Sequence, residues 1–130
     1  MYTYQRRLYL RDTDATGRLF FSKQFEIALE AFEEFLASKE FSLREMVDQK
    51  KIAFPIRHAK GDFLSPLLLG DQLEVKLTLT SIGSSSFTCT SMFFRKGVPV
   101  GSVELVHVAI DPQKGIKIEL PKALIELLKV

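Results

Sequence analysis

Asp12 and Asp14 stand one residue apart in the run Asp12-Thr13-Asp14-Ala15-Thr16-Gly17-Arg18-Leu19-Phe20-Phe21. A carboxylate held in a loop against an apolar helix has its pKa raised by desolvation unless something compensates, and it can act on a carbonyl as general base or nucleophile. The plainer reading is that both acids organise the turn before Gly17, as Asp often does. Spacing leaves both readings open and does not separate the two residues. The run ends where a helix begins, so the first amides, around Phe21, Ser22 and Lys23, are donors for a developing oxyanion. Every helix has such an end; this one has a carboxylate beside it.

The remaining chemistry-bearing residues are sparse. Cys89 is the single cysteine, so no internal disulfide or Cys-rich zinc site can form, and with two histidines lacking ligand spacing no metal is expected. Cys89 reads as a small, half-buried strand residue. His58 and His107 fall on strand-like segments, where a hydrogen-bonded structural role is the ordinary one. Arg57, Lys60, Arg95 and Lys96 would make a phosphate-binding patch if strand ends converged, or remain solvated charges if not. No Gly-rich phosphate loop accompanies them.

Several elements must position these groups. Thr3 to Arg11 alternates apolar and polar residues as a first strand. From Ser22 to about Ser38, the residues Phe25, Ala28, Leu29, Phe32, Phe35 and Leu36 recur at three- and four-residue spacing, which predicts a helix with one apolar face. Ser22 is a candidate cap and Glu26 a first-turn acid. Ser42 to Lys50 reads as a short helix with a Ser42/Glu45 capping box. Strands are predicted at Phe54 to Leu64, Gln72 to Ile82, Ser86 to Arg95 and Val98 to Ile110, with hairpin turns at Gly83-Ser84-Ser85 and Lys96-Gly97-Val98-Pro99. A short strand or turn near Lys114 to Ile118 and a helix from Pro121 to near Lys129 complete the chain. One long helix and a run of antiparallel strands predict an α+β fold in which the sheet wraps the helix.

At 130 residues and 46% hydrophobic, the chain suffices for one domain with a core, spanning 1–130. A net charge of +2 is far from the basic excess of a dedicated nucleic-acid binder. No apolar run approaches a membrane span, and the polar opening Met1-Tyr2-Thr3-Tyr4-Gln5-Arg6-Arg7 reads as a strand, so a cytoplasmic location is expected.

The Asp12 to Phe21 run, the Phe- and Glu-rich helix after it, and the block Pro55, Asp62-Phe63, Pro66 and Gly70-Asp71 resemble the 4-hydroxybenzoyl-CoA thioesterase family of hotdog-fold proteins, most closely its 1,4-dihydroxy-2-naphthoyl-CoA thioesterase branch. The resemblance runs from Tyr4 to about Ile110. It implies a curved antiparallel sheet around a long helix, homodimers or homotetramers with sites between subunits, and hydrolysis of an acyl-CoA without a cofactor, CoA being part of the substrate. It also implies that Asp14 is the catalytic carboxylate, that Asp12 supports it, that the Phe21 backbone amide polarises the carbonyl, and that Gly17 allows the close turn. Substrate contacts are then expected from Phe20, Phe25, Arg57, His58 and Lys60, with Phe21, Phe54 and Phe63 as further candidates for an apolar pocket.

Two departures bear on specificity. The Tol-Pal-associated aliphatic branch tends to carry His where this chain has Phe21, and the bacterial hydroxybenzoyl branch tends to carry a basic cluster where it has Gly83-Ser84-Ser85-Ser86-Phe87. The expected activity is hydrolysis of an aromatic acyl-CoA. An aliphatic acyl-CoA or acyl-carrier-protein thioesterase and a noncatalytic acyl-binding module are the alternatives. A dehydratase would require a His and acid pair across the site.

Overall fold

The computed structural model describes residues 1–129; position 130, the last of the expected domain, lies outside them. Strand β1 (Tyr2–Arg7) leads through a 3₁₀ turn (Leu10–Asp12) to α1 (Phe21–Ser38) and α2 (Leu43–Gln49). Strands β2 (Ile56–Phe63), β3 (Gln72–Ile82), β4 (Ser86–Arg95) and β5 (Val98–Val108) follow. A small ribbon of β6 (Ile110–Asp111) and β7 (Ile116–Lys117) precedes α3 (Lys122–Leu128). The five long strands form one antiparallel sheet in the order β1-β3-β4-β5-β2, which curves around α1. The α+β expectation holds.

Strict alternation explains the sheet's two faces. Leu73, Val75 and Leu77 of β3, Phe87, Cys89 and Phe93 of β4, and Val103 and Leu105 of β5 are buried toward the helix side. Against them α1 lays Ile27, Ala28, Ala31, Phe32, Phe35 and Leu36. Burying a large apolar side chain of this kind contributes roughly 1.5–3 kcal/mol. The core has two halves. One centres on Leu8, Ile27, Ala31, Leu67, Val75 and Phe93, the other on Phe32, Phe35, Phe87 and residues of α3.

Some boundaries differ from expectation for physical reasons. β1 stops at Arg7 because the Leu8 N–H turns to the Asp71 carbonyl at 2.8 Å, after which the chain enters the 3₁₀ turn. The helix begins at Phe21 with Phe20 as its cap residue, so Ser22 lies inside the first turn and does not cap it. Glu26 is likewise beyond the first turn and pairs with Lys23 at 3.2 Å. Ser42 does cap α2, accepting from the Glu45 N–H at 3.1 Å.

His107 and Cys89 are structural. His107 is buried, stacks on Phe87 at 4.9 Å and shares a 3.0 Å hydrogen bond with the Phe54 carbonyl. Because that carbonyl only accepts, Nδ1 carries the proton, and burial holds the ring's pKa below its ordinary value. Burial pushes the Cys89 thiol up to about 12, which leaves it without thiolate character.

Candidate active site

The two acids of the opening motif have opposite environments. Asp12 is 4% exposed, and its Oδ2 accepts from Arg6 Nη2 and from the Tyr9 N–H, each at 2.9 Å. Its carbonyl accepts from the Phe20 N–H at 2.9 Å, so Asp12 ties β1, the 3₁₀ turn and the start of α1 together. Arg6 is itself buried and reaches Glu30 of the helix at 3.3 Å. Asp12 is therefore a structural anchor of the loop inside the protein.

Asp14 is exposed. Its Oδ1 accepts from the Thr16 hydroxyl at 2.6 Å and the Thr16 N–H at 2.8 Å, and no protein donor among the described residues reaches Oδ2. The loop is closed by Gly17 N–H to the Asp14 carbonyl at 3.0 Å and Asp14 N–H to the Arg18 carbonyl at 2.8 Å. Gly17 takes φ = 77°, a left-handed value that other residues adopt at a cost. The expected rise in pKa by desolvation does not occur. The side chain is not covered, and the two Thr16 donors hold the Asp14 carboxyl below its ordinary value.

Asp14 opens onto a cavity of about 300 Å³ that Arg18, Leu19, Gln24, Phe63 and Leu67 also line. Two backbone contacts build its wall: Leu19 N–H to the Leu67 carbonyl at 2.8 Å and Leu69 N–H to the Gly17 carbonyl at 2.9 Å. Asp71 secures that segment by accepting from the Leu68 N–H at 2.8 Å and from Arg95 at 3.1 Å. The helix start beside this loop has no side-chain cap, and the Phe21 and Ser22 N–H groups take no acceptor among the described residues. Such amides suit a ligand oxygen, and the helix dipole favours negative charge there.

The other expected contacts divide. Phe25 packs edge-on to Phe63 at 6.4 Å, and Phe63 lines the cavity. Phe20 and Phe21 lie 5.0 Å apart with both rings exposed. Phe54 is not a pocket residue; it packs on Phe87 at 5.7 Å in the other half of the core. His58 and Lys60 sit on β2 in alternation with Gly61, and a Cβ on Gly61 would come within 3.0 Å of Phe25 on the helix. They therefore project from the opposite sheet face, and Lys60 pairs with Glu104 at 3.9 Å.

Arg57 is exposed on β2. It is separated from Arg95 and Lys96 by roughly 30 Å of strand, the span of β5 from His107 to Val98. Arg95 is already committed to Asp71 and the Pro66 carbonyl. The four-residue basic patch is not assembled within one chain.

Gln24 was not anticipated. It is 1% exposed, lines the same cavity as Asp14, and its Nε2 donates to the Asp62 carbonyl at 3.0 Å and the Ser102 carbonyl at 3.2 Å. A lone amide at the start of the helix's apolar stripe was the available signal. Among the described residues no group of three or more His, Cys, Asp or Glu side chains is placed to hold a metal ion, and no helix is long and apolar enough to cross a membrane.

Comparison with known proteins bears on the whole chain. A family profile described as the thioesterase-like superfamily matches residues 9–128. A 1,4-dihydroxy-2-naphthoyl-CoA hydrolase of Nostoc punctiforme is 35% identical over 98% of this chain and 86% of its own length. The crystal structure of a 1,4-dihydroxy-2-naphthoyl-CoA thioesterase from Synechocystis superposes with TM-score 0.93 at 30% identity, covering 98% of this chain and 95% of that one. A gentisyl-coenzyme A thioesterase structure superposes with TM-score 0.88 at 26% identity over 98% of this chain and 99% of that one.

Proposed function

The chain belongs to the thioesterase-like superfamily, and from that premise we propose that it hydrolyses 1,4-dihydroxy-2-naphthoyl-CoA to the free acid and CoA. The observation that carries the reading is the cavity in which a carboxylate with one uncommitted oxygen, Asp14, meets an apolar wall including Leu19, Phe63 and Leu67. Aromatic acyl-CoA hydrolysis is the activity named for relatives over nearly the full chain.

In this reading the acyl ring enters the apolar cavity and the thioester carbonyl lies at its mouth, between Asp14 and the start of α1. The Phe21 N–H stabilises the oxyanion. Asp14 acts as nucleophile or as base toward a water. Its lowered pKa keeps the carboxyl ionised at the working pH, which both routes require. On the nucleophilic route an Asp14 oxygen bonds to the carbonyl carbon, the C–S bond breaks, and the thiolate leaves to be protonated by solvent. Water then cleaves the anhydride and restores the carboxylate. CoA is part of the substrate, and the residues invoked require no further cofactor.

The working unit is a homodimer or a tetramer of such dimers. β2 is an edge strand with a free side, and Ile56 and Phe63 on it, like Phe20 and Phe21 nearby, leave large apolar surfaces exposed. The phosphates of CoA would then meet basic side chains contributed across the subunit boundary, Arg57 and Lys60 among them. A cytoplasmic location fits a soluble substrate of this kind.

A thiol-release assay over aromatic and aliphatic acyl thioesters of CoA and of acyl-carrier protein tests the assignment. The dihydroxynaphthoyl thioester should have the highest kcat/KM. Faster turnover of aliphatic or carrier-protein thioesters would replace the substrate class, and binding without thiol release would mean an acyl-binding module. The gentisyl-CoA thioesterase among the structural neighbours makes the gentisyl thioester the second candidate.

A further inference from the structure

Of the polar side chains that line the cavity, Asp14, Arg18, Gln24 and Ser65, only Gln24 is buried. Asp14 is exposed at the mouth, whereas Gln24, 1% exposed, lies at the inner end where α1 meets β2 and β5. The Gln24 amide is fixed in orientation. Nε2 faces two carbonyl oxygens, Asp62 at 3.0 Å and Ser102 at 3.2 Å, and the flipped amide would set its own oxygen against both. Both Nε2 hydrogens are thereby used, and Oε1 takes no donor among the described residues. The amide lies flat on Gly101, where an added Cβ would come within 2.9 Å of both Nε2 and Oε1. Helix, strands and glycine together hold one buried acceptor, without a partner among the described residues, on a cavity wall that Leu19, Phe63 and Leu67 also line.

We propose that Gln24 Oε1 is a specificity determinant that accepts a hydrogen bond from the acyl ring hydroxyl remote from the thioester. This rests on the aromatic thioesterase reading, which puts the thioester at Asp14 and therefore the far side of the ring at Gln24. An acceptor that donates nothing inward selects a hydroxyl over a ring hydrogen. A ring without that hydroxyl leaves Oε1 buried and unpaired. Deletion of one such neutral hydrogen bond corresponds to a change of about tenfold.

The test uses three substrates: the CoA thioesters of 4-hydroxy-2-naphthoate, 1-hydroxy-2-naphthoate and 2-naphthoate. For the wild-type protein, kcat/KM for the 4-hydroxy thioester should exceed that for the unsubstituted one by about tenfold, and Gln24→Met should bring the ratio close to one. The 1-hydroxy thioester, with its hydroxyl next to the carbonyl, should keep its ratio in both proteins. Gly101→Ala, which displaces the amide without removing it, should lower the 4-hydroxy ratio in the same direction. A wild-type ratio near one, or a ratio that survives Gln24→Met and Gly101→Ala while all rates fall together, overturns the proposal and leaves Gln24 a structural stitch. Should Gln24→Met fail to fold, the wild-type ratio and Gly101→Ala decide. Failure of the wild-type protein to hydrolyse any aromatic thioester would instead contradict the thioesterase reading itself.

Discussion

The two ends of α1 differ in almost every physical respect. At the C-terminal end, Phe32, Phe35 and Leu36 are enclosed by Phe87, Cys89 and the α3 residues Leu124 and Leu128, and the His107 ring packs against both Phe32 and Phe87. At the N-terminal end the helix has no side-chain cap, Phe20 and Phe21 are exposed, Phe63 is 52% exposed, and a cavity lies open beside Asp14. One end is closed over its apolar side chains, although His107 Nε2 there lacks a partner among the described residues. The other has unpaired amides, uncovered aromatic rings and an uncommitted carboxylate oxygen, and each of these needs something the chain does not supply. In the proposed reading, the difference separates the part that stabilises the protein from the part that acts.

Substitutions at each end should therefore fail in different ways. Phe87→Ala opens a cavity in the enclosed end and should cost about 3–5 kcal/mol in chemical denaturation. It should leave the substrate preference of the surviving folded fraction unchanged. Asp12→Asn strips the buried Arg6 of its best partner, and Arg6 Nη1 already lacks one. A loss of about 3 kcal/mol is expected by the same measurement.

Thr16→Val should have little effect on stability but should raise the Asp14 pKa, because it removes the hydroxyl that favours the charged form. The acid limb of the kcat/KM profile should then move to higher pH, whereas in the wild-type protein it lies below the ordinary carboxylate range. A limb that does not move would place the ionisation elsewhere.

The smallest effect belongs to His107. Its folded pKa lies below the unfolded value of about 6.5, so the unfolded chain binds the extra proton first. Its stability contribution is complete above about pH 6.5 and declines as pH falls below it. Relative to the wild type, His107→Phe should flatten the dependence of unfolding free energy on pH just below that point. An unchanged slope would mean that His107 is solvated.

The enclosed end was the more legible in the sequence. β3 and β4 have the boundaries their alternation predicts, because one face of each strand is buried and a register slip would expose all of it. The apolar stripe of α1 gave its length for the same reason. The open end obeys less local rules. Spacing could not separate Asp12 from Asp14, since the difference is made by Arg6 and Thr16 acting through the folded loop. Phe54 looked like a pocket residue because aromatic composition is the same in a core and in a site. Gln24 went unnoticed because its significance comes from two carbonyls on strands far along the chain. The resemblance to a thioesterase family located the motif; the depth of each side chain came from the fold.

The central claim is that Asp14 does chemistry and Asp12 does not, and one paired measurement tests it: thiol release from the dihydroxynaphthoyl thioester together with thermal unfolding, on wild type, Asp14→Asn and Asp12→Asn. Asp14→Asn should lose about two to four orders of magnitude in kcat with its Tm unchanged, and Asp12→Asn should lower Tm while its folded fraction retains most of its turnover. An Asp14→Asn protein that turns over within a few-fold of wild type, or two variants with equal and small effects, would contradict the account.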